Sequence, residues 1–459
     1  MIKRTLIMAI AIVTLSGIHA QAQKKAIADP KKIAQYITDE SILQHLKTLA
    51  SDEFEGRETA TEGQKKAAAY IESQFKSFGL KPGNKGSYQM DYPVYRDSLI
   101  SSQVKVNEEA FLLNSEFQPF NSFFSNKNGT QYFSEIVFVG YGIEDSSRND
   151  YKNTTVAGKA VMFFDGIPEG YNTSIKGWRS PAGMIGKLLK AAEKGAVAVL
   201  IISSDFPKKT QDPLGNMYVN MYSPRQLPQT YTVSTKIAEK IAGKDWASIN
   251  QKSLAPESKT FEANVMLETN KGTKNLVSSN VLGVLESNES DEWLIVTGHY
   301  DHLGKRGNVI YYGADDDGSG TTGVLEIAKA FAKAKEAGKG PKRNILFMTV
   351  SGEEKGLWGS EYFSDHPTMP MEKVTADLNI DMIGRVDTER KTADTLNYVY
   401  VVGDDKLSTE LKPLSEGVNN KYIKMTLDYK FNDPNDKEQI YFRSDHYNFA
   451  RKGVPVIFY

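Results

Sequence analysis

The chain has 459 residues, too many for one ordinary core, so two or more domains are expected. Its 40% hydrophobic and 25% charged residues are the proportions of a soluble globular protein. With 56 basic against 57 acidic residues the formal net charge is −1, a balance that gives no support to nucleic acid or an anionic membrane as a partner.

Lys3 and Arg4, the apolar run from Leu6 to Leu15 and the small-x-small triplet Ala20-Gln21-Ala22 read as a cleavable signal peptide over residues 1–22. A mature start at Gln23 and a periplasmic or secreted protein are expected. Cysteine is absent, so an exported chain would rely on its core rather than on disulfides. Ser41 to Leu49 and Lys65 to Phe78 have helical periodicity, with the polar loop Asp52-Glu53-Phe54-Glu55-Gly56-Arg57 between them. From about residue 104 to 265 the texture changes to short apolar runs, Ile136 to Val139, Lys159 to Phe164 and Ala196 to Ile202, with one helical stretch, Met184 to Lys194. No histidine falls there, and it reads as a separate β-rich domain without chemistry of its own.

Residues 23–103 and 266–459 are then the two parts of another domain. Beyond Asn280 strands and helices alternate: Asn280–Leu285, Trp293–Thr297, Ile345–Val350, Leu378–Ile380 and Tyr398–Val402, with the clearest helix at Thr321 to Ala337. Alternation of this kind predicts an α/β fold, a largely parallel sheet covered by helices.

The chemistry-bearing residues sit where such a sheet binds ligands, just past the carboxyl ends of strands. His299 follows Trp293–Thr297, Glu353 and Glu354 follow Ile345–Val350, and Asp381 follows Leu378–Ile380. His299 and Asp301, two apart, share a face in extended chain, so Asp301 is the expected carboxylate partner of a metal-bound His299. His302 would point the other way and reads as structural. Asp315-Asp316-Asp317 is costly without a cation. An EF-hand fails, because Gly318 at loop position six would put Gly313 and Val324 where acids are needed. One of the three acids can cap the following helix; a carboxylate bridging two metals is the preferred role for another. Adjacent Glu353 and Glu354 cannot point the same way from a regular strand, which suits one ligand and one general base. For Asp381, an ion pair with Arg385 competes with metal ligation. His446, in Ser444-Asp445-His446, is the remaining nitrogen donor. Taken as His299, Asp316, Glu354, Asp381 and His446, the set mixes N and O donors, which suits two zinc ions better than magnesium or calcium.

At Gly298-His299-Tyr300-Asp301-His302, Gly313 to Gly320, Glu353-Glu354-Lys355-Gly356-Leu357, Asn379 to Gly384 and Ser444-Asp445-His446 the chain closely resembles the M28 family of zinc peptidases. The likeness covers about residues 280–459. Residues 104–265 resemble, less specifically, the protease-associated domain inserted in that family. The resemblance implies the zinc-exopeptidase fold, one zinc on His299, Asp381 and a bridging Asp316, and the other on Glu354, His446 and the same Asp316. It also implies Glu353 as general base and an unusual peptide bond between Asp316 and Asp317. Some relatives carry tyrosine where this chain has Asp445, and in relatives the strand at Val454 to Tyr459 continues into a further loop and helix. A zinc-dependent aminopeptidase acting on peptides or dipeptides is the expected activity. A carboxypeptidase or dipeptidase on the same site, or an inactive peptidase-fold binding module, are the alternatives.

Overall fold

The computed structural model describes residues 29–120, 128–175, 180–210, 212–219, 227–249, 257–392 and 396–459. The expected signal peptide, residues 1–22, lies outside them. Two compact units divide the chain, Met1–Tyr92 with Val277–Tyr459, and Pro93–Leu276.

The first unit is built on five strands: β1 (Lys259–Leu285, of which residues 277–285 belong here), β2 (Trp293–His299), β3 (Asn344–Val350), β4 (Val374–Asn379) and β5 (Val456–Phe458). Their order is β5-β4-β2-β3-β1. β2 runs parallel to β3 and β4, and β4 parallel to β5, while β1 is antiparallel to β3. Every residue of β3 is buried, as expected of a central strand covered on both faces. Its alternate side chains divide between two cores. Phe347 packs with Val281 and Val296 under helices α1 (Asp39–Leu49), α2 (Glu62–Ser77) and α3 (Gly318–Glu336), which contribute Leu49, Ile71, Phe75, Val324 and Ala328. Leu346 and Met348 pack with Leu282 and Ile295 under α4 (Trp358–Asp365) and α5 (His446–Ala450), through Phe363 and Phe449. Emptying a fully buried position such as Phe347 would cost ~3–5 kcal/mol. Thr38 and Thr61 cap α1 and α2 through their side-chain oxygens.

The expected helix at Thr321 begins three residues earlier, at Gly318, because Asp317 caps it by accepting from the Gly320 amide at 2.8 Å. Among the described residues, the expected strand Tyr398–Val402 meets the main sheet only through an isolated antiparallel bridge from Val402 to Phe458. Tyr398–Tyr400 pairs with Thr426–Asp428 as a separate parallel ribbon, consistent with its half-exposed side chains.

The second unit has a parallel centre, Gly129–Phe138, Ala160–Phe164, Ala198–Ser203 and Gln229–Ser234, flanked by antiparallel pairings to Phe117–Pro119 and to residues 259–269. Period-two alternation again fills two cores, Val161 and Phe163 on one face, Ala160 and Met162 on the other. Among the described residues no helix is long and apolar enough to cross a membrane.

Gly320 is a tight approach at the start of α3: a Cβ there would lie 2.3 Å from the Ile380 carbonyl oxygen. Gly320→Ala is expected to destabilise by ~1–3 kcal/mol, by overpacking. Gly417→Ala, in the helix Leu411–Val418 with nothing within 4 Å of the added methyl, is expected to stabilise by ~0.5–1 kcal/mol. Thermal or urea unfolding of the two variants checks the opposite signs.

Candidate metal centre

Because β2, β3 and β4 are parallel, their carboxyl ends open on the same edge of the sheet. His299 is the last residue of β2, and Asp381 lies two residues past β4. β3 is followed by a sharp turn at Gly352, with φ +76°, which leads into the short helix carrying Glu353 and Glu354. A side chain at Gly352 would meet the Tyr92 hydroxyl at 2.7 Å and Trp358 Cβ at 2.9 Å, so only glycine lets the chain turn there.

The fully buried His299 ring organises the first group of donors. Nδ1 faces the Asp301 carbonyl oxygen at 3.1 Å, with the Asp301 carboxylate at 3.7 Å. A carbonyl only accepts, so Nδ1 carries the proton and Nε2 is the nitrogen available to a metal. Around Nε2 stand Asp316 Oδ1 at 3.2 Å, Asp381 Oδ1 at 3.7 Å and Glu353 Oε2 at 3.9 Å. Asp301 Oδ2 accepts from Thr59 Oγ1 at 2.6 Å, and its Oδ1 accepts from the Glu353 amide at 3.2 Å. Asp301 therefore ties the end of β2 to the Glu353 turn.

The second group is His302, Asp316 and Glu354. His302 Nδ1 lies 2.6 Å from Glu354 Oε1 and 4.0 Å from Asp316 Oδ2. Asp316 thus turns one oxygen to each group, and Glu353 and Glu354 divide between them. That the two glutamates point to different groups follows from the sequence; the place of His302 does not. Extended alternation would send His302 away, but β2 stops at His299, and beyond it the chain no longer alternates. His446, at the start of α5, is fully buried and belongs to neither three-donor group. It stacks on Phe458 at 4.7 Å, and Tyr441 stands edge-on to it at 5.7 Å.

Several buried polar atoms of this region have no hydrogen-bond partner: His299 Nε2, His302 Nδ1, Glu354 Oε1 and both nitrogens of His446. Orphans of this kind are costly unless something else binds them. Mixed imidazole and carboxylate donors fit a divalent ion of the zinc type. The electrostatics agree. Burial by itself would lower the His299 imidazole, but Glu353, then Asp301, Asp316 and Asp381, outweigh it and hold it well above its ordinary value. Burial pushes Glu353 well above the carboxylate range, aided by Asp445, Asp381 and Asp301. Burial drives His446 down to about 4, which keeps it neutral. Asp381 stays below its ordinary value despite burial, because His299 and the Ser444 hydroxyl, at 2.7 Å, favour its charge.

The remaining acids are structural fasteners. Asp317, fully buried and joined to Asp316 by a cis peptide bond, accepts from the amides of His299, Gly320 and Met382 at 3.1, 2.8 and 3.2 Å. It binds the ends of β2 and β4 to the start of α3. Asp315 Oδ1 accepts from the Gly384 amide at 2.7 Å, and Arg385 stands 4.0 Å from Asp315 Oδ2. Arg385 is therefore placed with Asp315, while Asp381 is placed with His299 and Ser444. Arg57 lies in a loop that sequence reasoning passed over as merely polar. Its guanidinium has no solvent exposure and donates to the carbonyls of Tyr300 (2.6 Å), Leu49 (2.5 Å), Tyr312 (2.8 Å) and Gly313 (2.8 Å).

A helix-covered, largely parallel sheet with imidazoles and carboxylates at its carboxyl edge has the layout of a metal-dependent hydrolase. Residues 280–459 match the family model described as Peptidase family M28, and this segment belongs to that family. A probable zinc metalloprotease of Pyrenophora tritici-repentis is 29% identical over 204 residues, 41% of this chain and 40% of the relative. A probable glutamate carboxypeptidase of Arthroderma benhamiae is 35% identical over 129 residues, 28% of this chain and 16% of the relative. The chain thus spans well under half the length of these relatives. Among solved structures, an aminopeptidase from Aneurinibacillus sp. strain AM-1 shares the fold, with a TM-score of 0.52 and 19% identity over 93% of this chain and 86% of that one.

Zinc binding requires Nε2 of His299 free of a proton, whereas the surrounding acids favour the protonated ring, so zinc affinity is expected to fall as the pH is lowered from alkaline through neutral to mildly acidic values. Competition with a chromophoric chelator across that range, together with proton release measured calorimetrically in buffers of different ionisation enthalpy, checks the sign.

Proposed function

We propose that the protein is a two-zinc exopeptidase, an aminopeptidase that releases N-terminal residues from peptides. The observation that carries this reading is Asp316, whose two oxygens face different donor groups at the carboxyl edge of an M28 segment. His299 and Asp381 would hold one zinc with Asp316, and Glu354 and His446 the other, with Asp316 shared between them. Bound zinc supplies Lewis acidity toward the scissile carbonyl and lowers the proton affinity of water.

The chain's own side chains do the rest. Asp301 fixes the Glu353 turn through its amide and faces Nδ1 of His299, so base and ligand keep a set relation. Glu353 Oε2, beside His299 and raised by burial among acids, takes the proton of the attacking water and passes it to the leaving amine nitrogen. The second unit, as a protease-associated type of module, would contribute no catalytic group; the chain has no histidine between His45 and His299.

A carboxypeptidase reading is favoured by one observation, the glutamate carboxypeptidase among the curated relatives. Free amino-acid anilides and their N-acetylated forms separate the two. The zinc-loaded protein is expected to cleave the free anilides and not the acetylated ones. Glu353→Ala is expected to lose ~10²–10⁴-fold in kcat with zinc still bound. Cleavage restricted to N-blocked peptides with a free carboxyl end would select the carboxypeptidase. Stoichiometric zinc with no hydrolysis of either class would leave a binding module.

A further inference from the structure

We propose that His302 is a third histidine of the centre, donating Nδ1 to the zinc on the Asp316 and Glu354 side. This rests on the two-zinc reading above and adds a donor that the resemblance did not include.

The geometry is specific. His302 Nδ1, an Asp316 oxygen and a Glu354 oxygen all lie within 4.8 Å of one another. Nδ1 and Glu354 Oε1 are 2.6 Å apart, yet both are buried and neither has a hydrogen-bond partner. An ordinary imidazole–carboxylate hydrogen bond would satisfy both atoms. Two unsatisfied donors at this separation, facing the same acid, are better explained by a cation that binds both. The ring is also held in place. A Cβ on Gly313 would fall 2.5 Å from His302 Cγ, so the ring lies against a position where only glycine leaves room. The His302 amide donates to the Arg57 carbonyl at 3.2 Å, which fixes the backbone beneath it. A surface histidine would need neither restraint.

The test uses the full chain and zinc alone as the probe, read by metal content after dialysis and by chelator competition. His302→Asn is the deciding variant. Its amide can donate to Glu354 as a protonated imidazole would, but it is a poor zinc ligand. His302→Ala accompanies it, and thermal melting of the metal-free variants confirms folding. Wild type is expected to retain two zinc ions. His302→Asn is expected to retain one tightly and bind the other ~100-fold or more weakly, beyond the ~10–100-fold loss typical of a residue that only orients a ligand. Visible spectra of the cobalt-loaded forms should differ in the same way. Wild-type affinity for both ions in His302→Asn would overturn this inference while leaving the two-zinc reading intact. A wild-type chain that takes up no zinc would overturn both.

Discussion

The first unit is organised around one buried cation. Arg57 is wholly enclosed, and its guanidinium rests on carbonyl oxygens from the end of α1, from Tyr300 just past β2, and from Tyr312 and Gly313 ahead of the acidic loop. Removing a guanidinium from water costs several kcal/mol unless its hydrogens are all engaged. Here the loops that carry His299, His302 and Asp316 supply the acceptors. Burial lowers Arg57 to about 10, while Asp301, Asp317, Asp316 and Glu354 work in the opposite direction, so it remains charged at neutral pH. The same charge that aligns the loops offsets part of the repulsion among the acids they present.

Asp317 plays the complementary part from the other side. Burial and Asp381 raise it well above the carboxylate range, and three backbone amides converge on its oxygens. A single acid thus joins two strand ends and a helix start within reach of a neighbour, Asp316, whose carboxylate is left free for the centre. Adjacent residues of one run therefore do different work: Asp315 anchors Gly384, Asp316 faces the donors, and Asp317 sets the frame.

Much of this was legible in the sequence. Apolar runs gave β2 and β3 to within two residues, the end of β4 but not its start at Val374, and only the last part of β1, while helical periodicity gave most of α3. Those signals report burial, and burial is what hydropathy measures. Placing His299, Glu353, Glu354 and Asp381 at one edge needed only the rule for parallel sheets. The missed features lie where regular geometry ends. His302 was assigned to the far face by an alternation that stops at His299. Arg57 looked like a solvated charge, because nothing local shows that carbonyls more than two hundred positions away will enclose it. The pairing of Arg385 with Asp315 rather than Asp381 is likewise decided by loop path and not by composition.

That separation has a consequence for how the molecule is made. Arg57 and Tyr300 are 243 positions apart, and the whole of Pro93–Leu276 is synthesised between them. At roughly 5–20 residues per second on the ribosome, the guanidinium waits on the order of tens of seconds for its acceptors. During that interval α1 and α2 have no sheet to cover, so the early segment must stay hydrated or be shielded by a chaperone. A nascent chain arrested before Tyr300 would carry an unfinished first unit whatever the state of the second.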